Sequence, residues 1–532
     1  MSILFFHFLL MFSKLTKPRV DDSILFYDYG ISGGLFMDAV SRTRNRRTIL
    51  FVLLLALYFS FHLFLILHHE AFRDEAQAWT IAKNTTFSEL FADLSIEGHP
   101  CLWFLIIRPF AKFGLSFRSF SYISLIFMTV SAAVFLFRAP FGNILKVISL
   151  FSFAFCYNSP VMPRTYCVIT LLIMILAVLW PDRTEKPILY GCIIALLFQS
   201  HIILAGFAGG LVLELFIQWC RKKPRINRLF WGMAIPSASA LFTVYELLPR
   251  ADAPVFVDAS AQSVLSRMDF NVNKLLAGIN DLEETVWGHY VCEVQLGPVT
   301  GKAVLLLIFF LLFLALLITV TLKKEWKSFW SVALVGICGL GFALGVRLFV
   351  YRGGYQMTVC YFLILIFLVW TLYSSVKEKS VRTAGALILS LALLLTCEKW
   401  INAAKYDITD EFSGSRSTAD FIDRTVEENG VIVVREDHLI PSVYAYVDSD
   451  RRDITFWSAD TEAEYKLHVW GAVYPALDPA EVAQKAHAHF PDASTLYYLS
   501  SSRLEETEGL ELLYCMDKRN PLEENYWFYR LP

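Results

Sequence analysis

Residues 49–67 form an apolar run without a single Asp, Glu, Lys or Arg, long enough to carry a helix across a hydrocarbon core of about 30 Å. Hydrocarbon offers no hydrogen-bond partner, so such a segment must satisfy its own backbone, which a helix does within one stretch of chain. The pattern returns at 304–322, 329–350 and 357–374, and near 101–115, 119–137, 144–160, 165–180, 188–217, 229–248 and 383–398. The expected fold is therefore a polytopic α-helical membrane protein with about eleven transmembrane helices. A 56% hydrophobic and 18% charged composition over 532 residues agrees with it, as does a mean hydropathy of +0.50.

Charge sets the orientation. Arginines at 42, 44, 46 and 47, the basic run 221–225, Lys323, Lys324 and Lys327, and Lys377, Lys379 and Arg382 all read as cytoplasmic, because basic residues are retained on that side. The first span then delivers loop 70–100 to the outer face, together with an acidic loop at 249–300. The tail beyond residue 400 also emerges there if the number of crossings is odd. Between 101 and 187 the basic residues Arg138, Lys146, Arg183 and Lys186 leave the parity open. A net charge of -2 shows no basic bias and excludes nucleic acid as a partner.

Three regions are expected. Residues 1–48 are a cytoplasmic segment in which 2–12 is apolar but too short to span, and in which Met37 leads straight into the arginines, so that the first 36 residues read as an extension without a structural role. Residues 49–400 are the membrane domain. Residues 401–532 have the composition of a water-soluble α/β domain outside the membrane: a helix at 417–428, a buried strand at 431–434, a helix opened by Asp478-Pro479-Ala480-Glu481, and strands at 495–500, 511–515 and 525–531. That tail has no glycine-rich phosphate loop or catalytic triad spacing, and is read as a lid or an acceptor-recognition module. The 10 cysteines form no Cys-x-x-Cys, and only Cys292 and Cys515 fall outside the membrane.

Chemistry concentrates in the first outer loop. Arg73-Asp74-Glu75-Ala76-Gln77-Ala78-Trp79 follows the first span, and Glu97-Gly98-His99-Pro100 closes the loop at the next apolar run. Residues 76–96 between them have the pattern of a helix lying in the interface, with Trp79 half wet. Asp74 and Glu75 are either N-terminal acids favoured by the helix dipole or, with Arg73 and His99 beside them, a functional cluster at a membrane surface. His68-His69-Glu70 with Asp74 has the residue types of a metal site, and Asn84-Thr85-Thr86 is a glycosylation sequon.

The order of these motifs resembles the C-type superfamily of integral membrane glycosyltransferases, in the branch of the protein mannosyltransferases and the aminoarabinose transferase. The resemblance rests on an apolar span, Asp-Glu-x-x-x-Trp at Asp74, Glu75 and Trp79, an interfacial helix, and His99-Pro100 at the start of the next span. Gly114-Leu115-Ser116-Phe117-Arg118, Tyr157 with Pro163-Arg164-Thr165-Tyr166, and Gln199-Ser200-His201 follow in order, although Cys101 replaces the residue that members usually carry after His-Pro. The resemblance implies sugar transfer, with inversion, from a polyprenyl-phosphate-linked donor to a glycan, lipid or protein acceptor at the outer face of a bacterial inner membrane. It makes Asp74 the catalytic base and Glu75 its support. Arg73, Trp79, His99, Arg164, Tyr166, His201, Arg352 and Tyr355 are the residues expected to bind substrate, with Arg347 a further candidate for the lipid phosphate. A divalent cation, Mg or Mn, is a possible cofactor, since the superfamily has metal-dependent and metal-independent branches. The arginines have a second reading as snorkelling side chains, and His201 and Tyr166 as packed core residues. The competing function is a transporter or a lipid or glycan flippase, which internal repeats would favour; the sequence shows none.

Overall fold

The computed structural model describes residues 33–531 apart from 223–224, 249–271, 287–294, 297–298, 350–354, 471, 473, 476, 494, 505–509 and 518–523, with side chains from Asn45 onwards except at 272, 274–275, 283, 295–296, 299–303, 349 and 355. Residues 1–32 of the expected N-terminal extension, Cys292, Arg352 and much of loop 249–300 lie outside the described residues, as does the side chain of Tyr355, while residues 33–36 of that extension begin the first helix.

In chain order the helices are α1 (Gly33–His68), α2 (Arg73–Asn84), α3 (Phe87–Glu97), α4 (Leu102–Lys112), α5 (Phe120–Arg138), α6 (Asn143–Leu150), α7 (Tyr166–Leu179), α8 (Pro187–Phe198), α9 (Ala205–Arg221), α10 (Arg228–Leu247) and α11 (Val272–Thr285). A two-residue ribbon, β1 (Gln295–Leu296) and β2 (Val299–Thr300), leads into α12 (Gly301–Leu322), α13 (Trp326–Phe349), α14 (Val359–Ser375), α15 (Lys379–Leu394) and α16 (Cys397–Thr409). Among the described residues seven helical segments are long and apolar enough to cross a membrane, and Tyr166–Asp182 and Pro187–Phe198 are shorter apolar helices. Leu306, Phe310 and Phe313 on α12 are largely exposed, a face that lipid solvates and water would not.

One end of the bundle gathers the basic clusters. Arg47 and Lys146 lie over the Phe51 ring at 5.2 and 5.4 Å, Arg183 pairs with Glu214 at 2.7 Å, Lys323 approaches Glu378 at 3.7 Å, and Trp180 donates to Ser375 at 2.9 Å. Because Arg47, Lys146 and Arg183 share this end, the parity between 101 and 187 is resolved. The opposite end carries the 70–100 loop and the sheet domain.

Three expected spans are corrected. The run 101–115 is the short helix α4, of roughly 16 Å at 1.5 Å per residue, which is half a bilayer. Its apolar residues Trp103, Phe104 and Ile107 are buried in protein, and Arg108 donates to the carbonyls of Ala82 at 3.2 Å and Thr85 at 2.6 Å. The run 188–217 is a hairpin of two helices, since Arg183 before α8 binds Glu214 well along α9. Its turn is Gln199-Ser200-His201, where His201 is extended (φ -162°, ψ 133°). The run 144–160 breaks after α6 into a π-helical turn, Ala154–Asn158. There, side chains of α1 occupy the freed carbonyls: Tyr58 donates to Phe155 O at 2.5 Å and His62 Nε2 meets Cys156 O at 3.0 Å.

The tail folds as α17 (Ser415–Thr425), β3 (Val431–Val434), α18 (Ile440–Asp450), β4 (Thr455–Ser458), β5 (Ala463–Glu464), α19 (Pro479–His489), β6 (Leu496–Ser500), β7 (Glu511–Met516) and β8 (Tyr526–Arg530). The sheet order is β5-β4-β3-β6-β8-β7, with β3 parallel to both β4 and β6 and the β6–β8 and β8–β7 pairs antiparallel. The expected capping box at α19 is formed: Glu481 N donates to Asp478 at 2.8 Å and Asp478 N to Glu481 at 3.0 Å. Helix α18 and strand β4 go beyond the sequence reading.

This domain is bolted to the connectors at the same end of the bundle. Ala71 N donates to Tyr446 OH at 3.0 Å and Ala71 O accepts from Ser415 at 2.8 Å. Asn84 donates to Tyr444 OH at 3.1 Å and Lys466 O at 2.7 Å, so the sequon asparagine serves as a docking contact. Arg118 binds Asp450 and Asp420.

The close crossing of α8 and α10 sets where the Gln199 turn stands. A Cβ on Gly191 would meet the carbonyl of Gly232 at 2.2 Å, and overpacking of this kind costs on the order of 3 kcal/mol. Gly191→Leu is therefore expected to lower the thermal midpoint of the detergent-solubilised protein by several degrees; an unchanged midpoint would count against this crossing.

Candidate functional site

The connector from α1 to α2 is only His69 to Phe72, and its geometry is imposed by buried polar contacts. Glu75 is fully buried; its Oε2 accepts from Phe72 N at 3.3 Å, closing the first turn of α2. Its Oε1 faces His69 Nε2 at 3.9 Å. His69 Nδ1 meets Asp407 on α16 at 3.0 Å, and Tyr157 from the π-helical turn donates to the other oxygen of Asp407 at 2.9 Å. Burial alone would lower His69, but the Asp407 and Glu75 carboxylates outweigh it and hold the imidazole up to about 10. Burial raises Glu75, with His69 opposing. Glu75 thus holds the helix start and has no face open to a ligand.

One residue earlier, about 100° round the helix, Asp74 points the other way and keeps 31% side-chain exposure. Arg164, in the connector before α7, donates through Nη1 to Asp74 Oδ2 at 2.6 Å and to Gln356 Oε1 at 2.6 Å. Arg73 Nε lies 3.6 Å from Asp74 Oδ1, while Arg73 N is fixed by Glu524 at 3.1 Å. Three rings stand beside this pair: His99 meets His201 edge-on at 4.9 Å, and Tyr166 stacks on His201 at 5.8 Å. His99 Nδ1 and His201 Nε2 have no hydrogen-bond partner among the described residues. Loss of solvent and then the Arg164 charge push His99 down to about 4, against Asp74, so it is a neutral imidazole at pH 7.

A carboxyl rim surrounds the same space. Loss of solvent holds Glu97 up to about 8, with Asp74 and Asp93 adding and Gln77 opposing. Burial likewise holds Glu524 up to about 7, against its hydrogen bonds from Ser413 and Arg73 N. Groups so shifted collect at sites that handle protons or charged ligands.

Of the expected residues, Arg73, Asp74, His99, Arg164, Tyr166 and His201 come together. Trp79 does not: it is 1% exposed and packs on Phe117 and Phe120 at 5.9 and 5.2 Å, because residues 76–96 fold as two helices broken at Thr85, and α2 lies beneath the sheet domain rather than in the interface. Arg347 pairs with Asp281 at 3.1 Å and Thr285 at 2.5 Å, away from Asp74. His68 and His69 diverge, His68 bonding Phe64 O at 2.8 Å. Among the described residues no three His, Cys, Asp or Glu side chains stand together to hold a metal ion. The sequence reading missed Gln356, Glu524 and Asp407. A neutral amide three residues before the apolar helix α14 was the available signal for Gln356; the other two carried none.

No protein-family profile matches the chain, and no curated protein matches it. Among solved structures it is similar to ArnT from Cupriavidus metallidurans bound to undecaprenyl phosphate, at 12% identity and a TM-score of 0.37, covering 91% of this chain and 97% of that one. That likeness assigns no residue a role.

The His69 cluster has a pH signature. Its folded value of about 10 lies above the 6.5 of a free imidazole, so its stabilisation is complete below pH 6.5 and is lost as pH rises towards 10. The thermal midpoint should fall across that window, and His69→Gln should lower it at pH 6.5 and flatten the slope above. Parallel curves for the two proteins would reject the charged cluster.

Proposed function

We propose that the chain is a glycosyltransferase that moves a sugar from a polyprenyl-phosphate-linked donor to an acceptor at the outer membrane face. The observation that carries this reading is the part-exposed Asp74 carboxylate sharing Arg164 with Gln356, beside two imidazoles whose His99 Nδ1 and His201 Nε2 are unfilled among the described residues. The resemblance of the loop motifs to C-type glycosyltransferases supports it.

An acceptor hydroxyl is a poor nucleophile until a base takes its proton, and the departing phosphate gains charge that cations must meet. Arg164 is placed for both phases. A donor phosphate competes with Asp74 for the guanidinium, and the carboxylate released from that pair accepts the acceptor proton. The bond from the acceptor oxygen to the anomeric carbon forms as the bond to the phosphate oxygen breaks, with inversion. The electron pair leaves with the lipid phosphate, held by Arg164 and Arg73, while His99 and His201 supply neutral hydrogen bonds. Among the described residues the side chains around Asp74 do not make a metal-binding set, so in this reading the arginines carry the phosphate charge.

Asp74→Asn is expected to lower sugar transfer by on the order of 10²- to 10⁴-fold while undecaprenyl phosphate still binds. Arg164→Ala should weaken that lipid binding by about 10- to 100-fold, the loss of a charged hydrogen bond. Envelope glycan profiles and lipid-binding titrations read the two effects; wild-type transfer by Asp74→Asn sinks the mechanism.

A further inference from the structure

The parallel core of the sheet is β4-β3-β6. The chain leaves β3 through α18 to β4 on one side, then passes through α19 to β6 on the other, so the carboxyl ends of β3 and β6 flank a reversal of strand order. Open α/β sheets bind ligands at such a point. The loop leaving β3 is Arg435-Glu436-Asp437-His438. Arg435 is committed to Asp460 at 2.8 Å and to the carbonyls of Leu477 and Pro475. Asp437 accepts from Leu439 N and from Ser501, just past β6.

Glu436 is different. Its Oε2 faces Nδ1 of His468 at 4.0 Å, with side chains 6% and 10% exposed, and neither atom has a hydrogen-bond partner among the described residues. Four ångströms is too long for a hydrogen bond, and buried polar atoms left so are costly and uncommon. The indole of Trp470 stands perpendicular to His468 at 4.9 Å, with His438 at 6.3 Å.

This edge is tied to the helix that carries Asp74. His468 N donates to Gln77 Oε1 at 3.3 Å, and Gln77 Nε2 donates to His468 O at 2.6 Å and Glu97 at 3.0 Å. Gln77 lies three residues past Asp74, on the same side of α2. His438 lies close enough to feel the charges of both Arg73 and Asp74.

We infer that Glu436, His468 and Trp470, at the carboxyl edge of β3 and β6, form an acceptor subsite whose ligand is a sugar with one hydroxyl turned towards Asp74. The inference rests on the transferase reading and adds the acceptor class to it. Loss of solvent holds Glu436 up to about 7, with Asp460 adding and the Ser458 hydroxyl opposing, and pushes His468 down to about 4, with His438 adding and Asp437 opposing. A carboxyl that is half protonated at neutral pH, next to a neutral imidazole, both donates and accepts, as sugar hydroxyls require. A cationic acceptor would be better met by full carboxylates. The Trp470 ring offers an apolar face to the C–H side of a pyranose, in keeping with sites that combine aromatic surface and a few placed polar groups.

The test uses the full chain in lipid nanodiscs and saturation-transfer NMR with a panel of free mono- and disaccharides. At least one sugar should show transfer. Trp470→Ala, which removes the apolar face, and the isosteric Glu436→Gln, which removes a hydrogen-bonding oxygen, should each weaken it about tenfold. Undecaprenyl phosphate binding reports the fold of each variant; if Trp470→Ala loses it, Glu436→Gln decides. The inference is overturned if no sugar binds, if binding ignores these substitutions, or if a polyamine binds through the same residues in place of a sugar. Sugar binding as expected, with no sugar transfer by the unaltered protein, would leave the subsite standing and remove the transferase reading.

Discussion

The protonated imidazole of His69 holds this molecule together at its most demanding place. It lies where the first span leaves the membrane, without exposure to water, between a carboxylate from α16 and one from α2. Each of those carboxylates would be costly to bury alone, since an unpaired buried charge loses its hydration with nothing in return. Together with Tyr157 they join the end of α1, the start of α2, the π-helical turn and the last membrane helix. The direction in which Asp74 points follows from this junction, because Glu75 closes the helix turn that Asp74 occupies.

The rest of the polar layer obeys the same economy of backbone and charge. Among the described residues, three breaks at the end of the bundle that carries the sheet domain supply a group to one region: His201 from the turn between α8 and α9, Arg164 from the connector before α7, and Gln356 from the 3₁₀ turn before α14. Irregular backbone at that depth is tolerated where protein side chains satisfy it. Gln199 illustrates this, its amide donating to Ser239 and to Thr243 at 2.9 Å on α10. The breaks that make a site are thus the breaks the surrounding helices can satisfy.

Much of this was legible because a polar residue in an apolar run is conspicuous. His201 interrupts such a run, Arg164 separates two of them, Asp74 and His99 open and close the polar loop between the first two, and all of them come to one place. What stayed hidden depended on long-range pairing. Asp407 stands 338 residues from His69, and Glu524 lies in a tail that composition marks only as soluble. The runs 101–115 and 188–217 misled because hydropathy measures transfer from water and does not distinguish lipid from protein as the destination. Trp79 misled likewise: an indole at a membrane boundary is often half wet, but here the sheet domain covers it.

The exchange at Ala71, whose N–H and C=O are both taken by side chains of the sheet domain, bears on how this chain can be taken apart. That four-residue connector completes its hydrogen bonding only with α17 and α18 in place. A cut near residue 410 would therefore bare the backbone directly before Asp74, and a transplanted tail would have to reproduce a tyrosine hydroxyl and a serine at matching positions. The two parts form one cooperative unit at this seam, and chimeras should be designed with the boundary elsewhere.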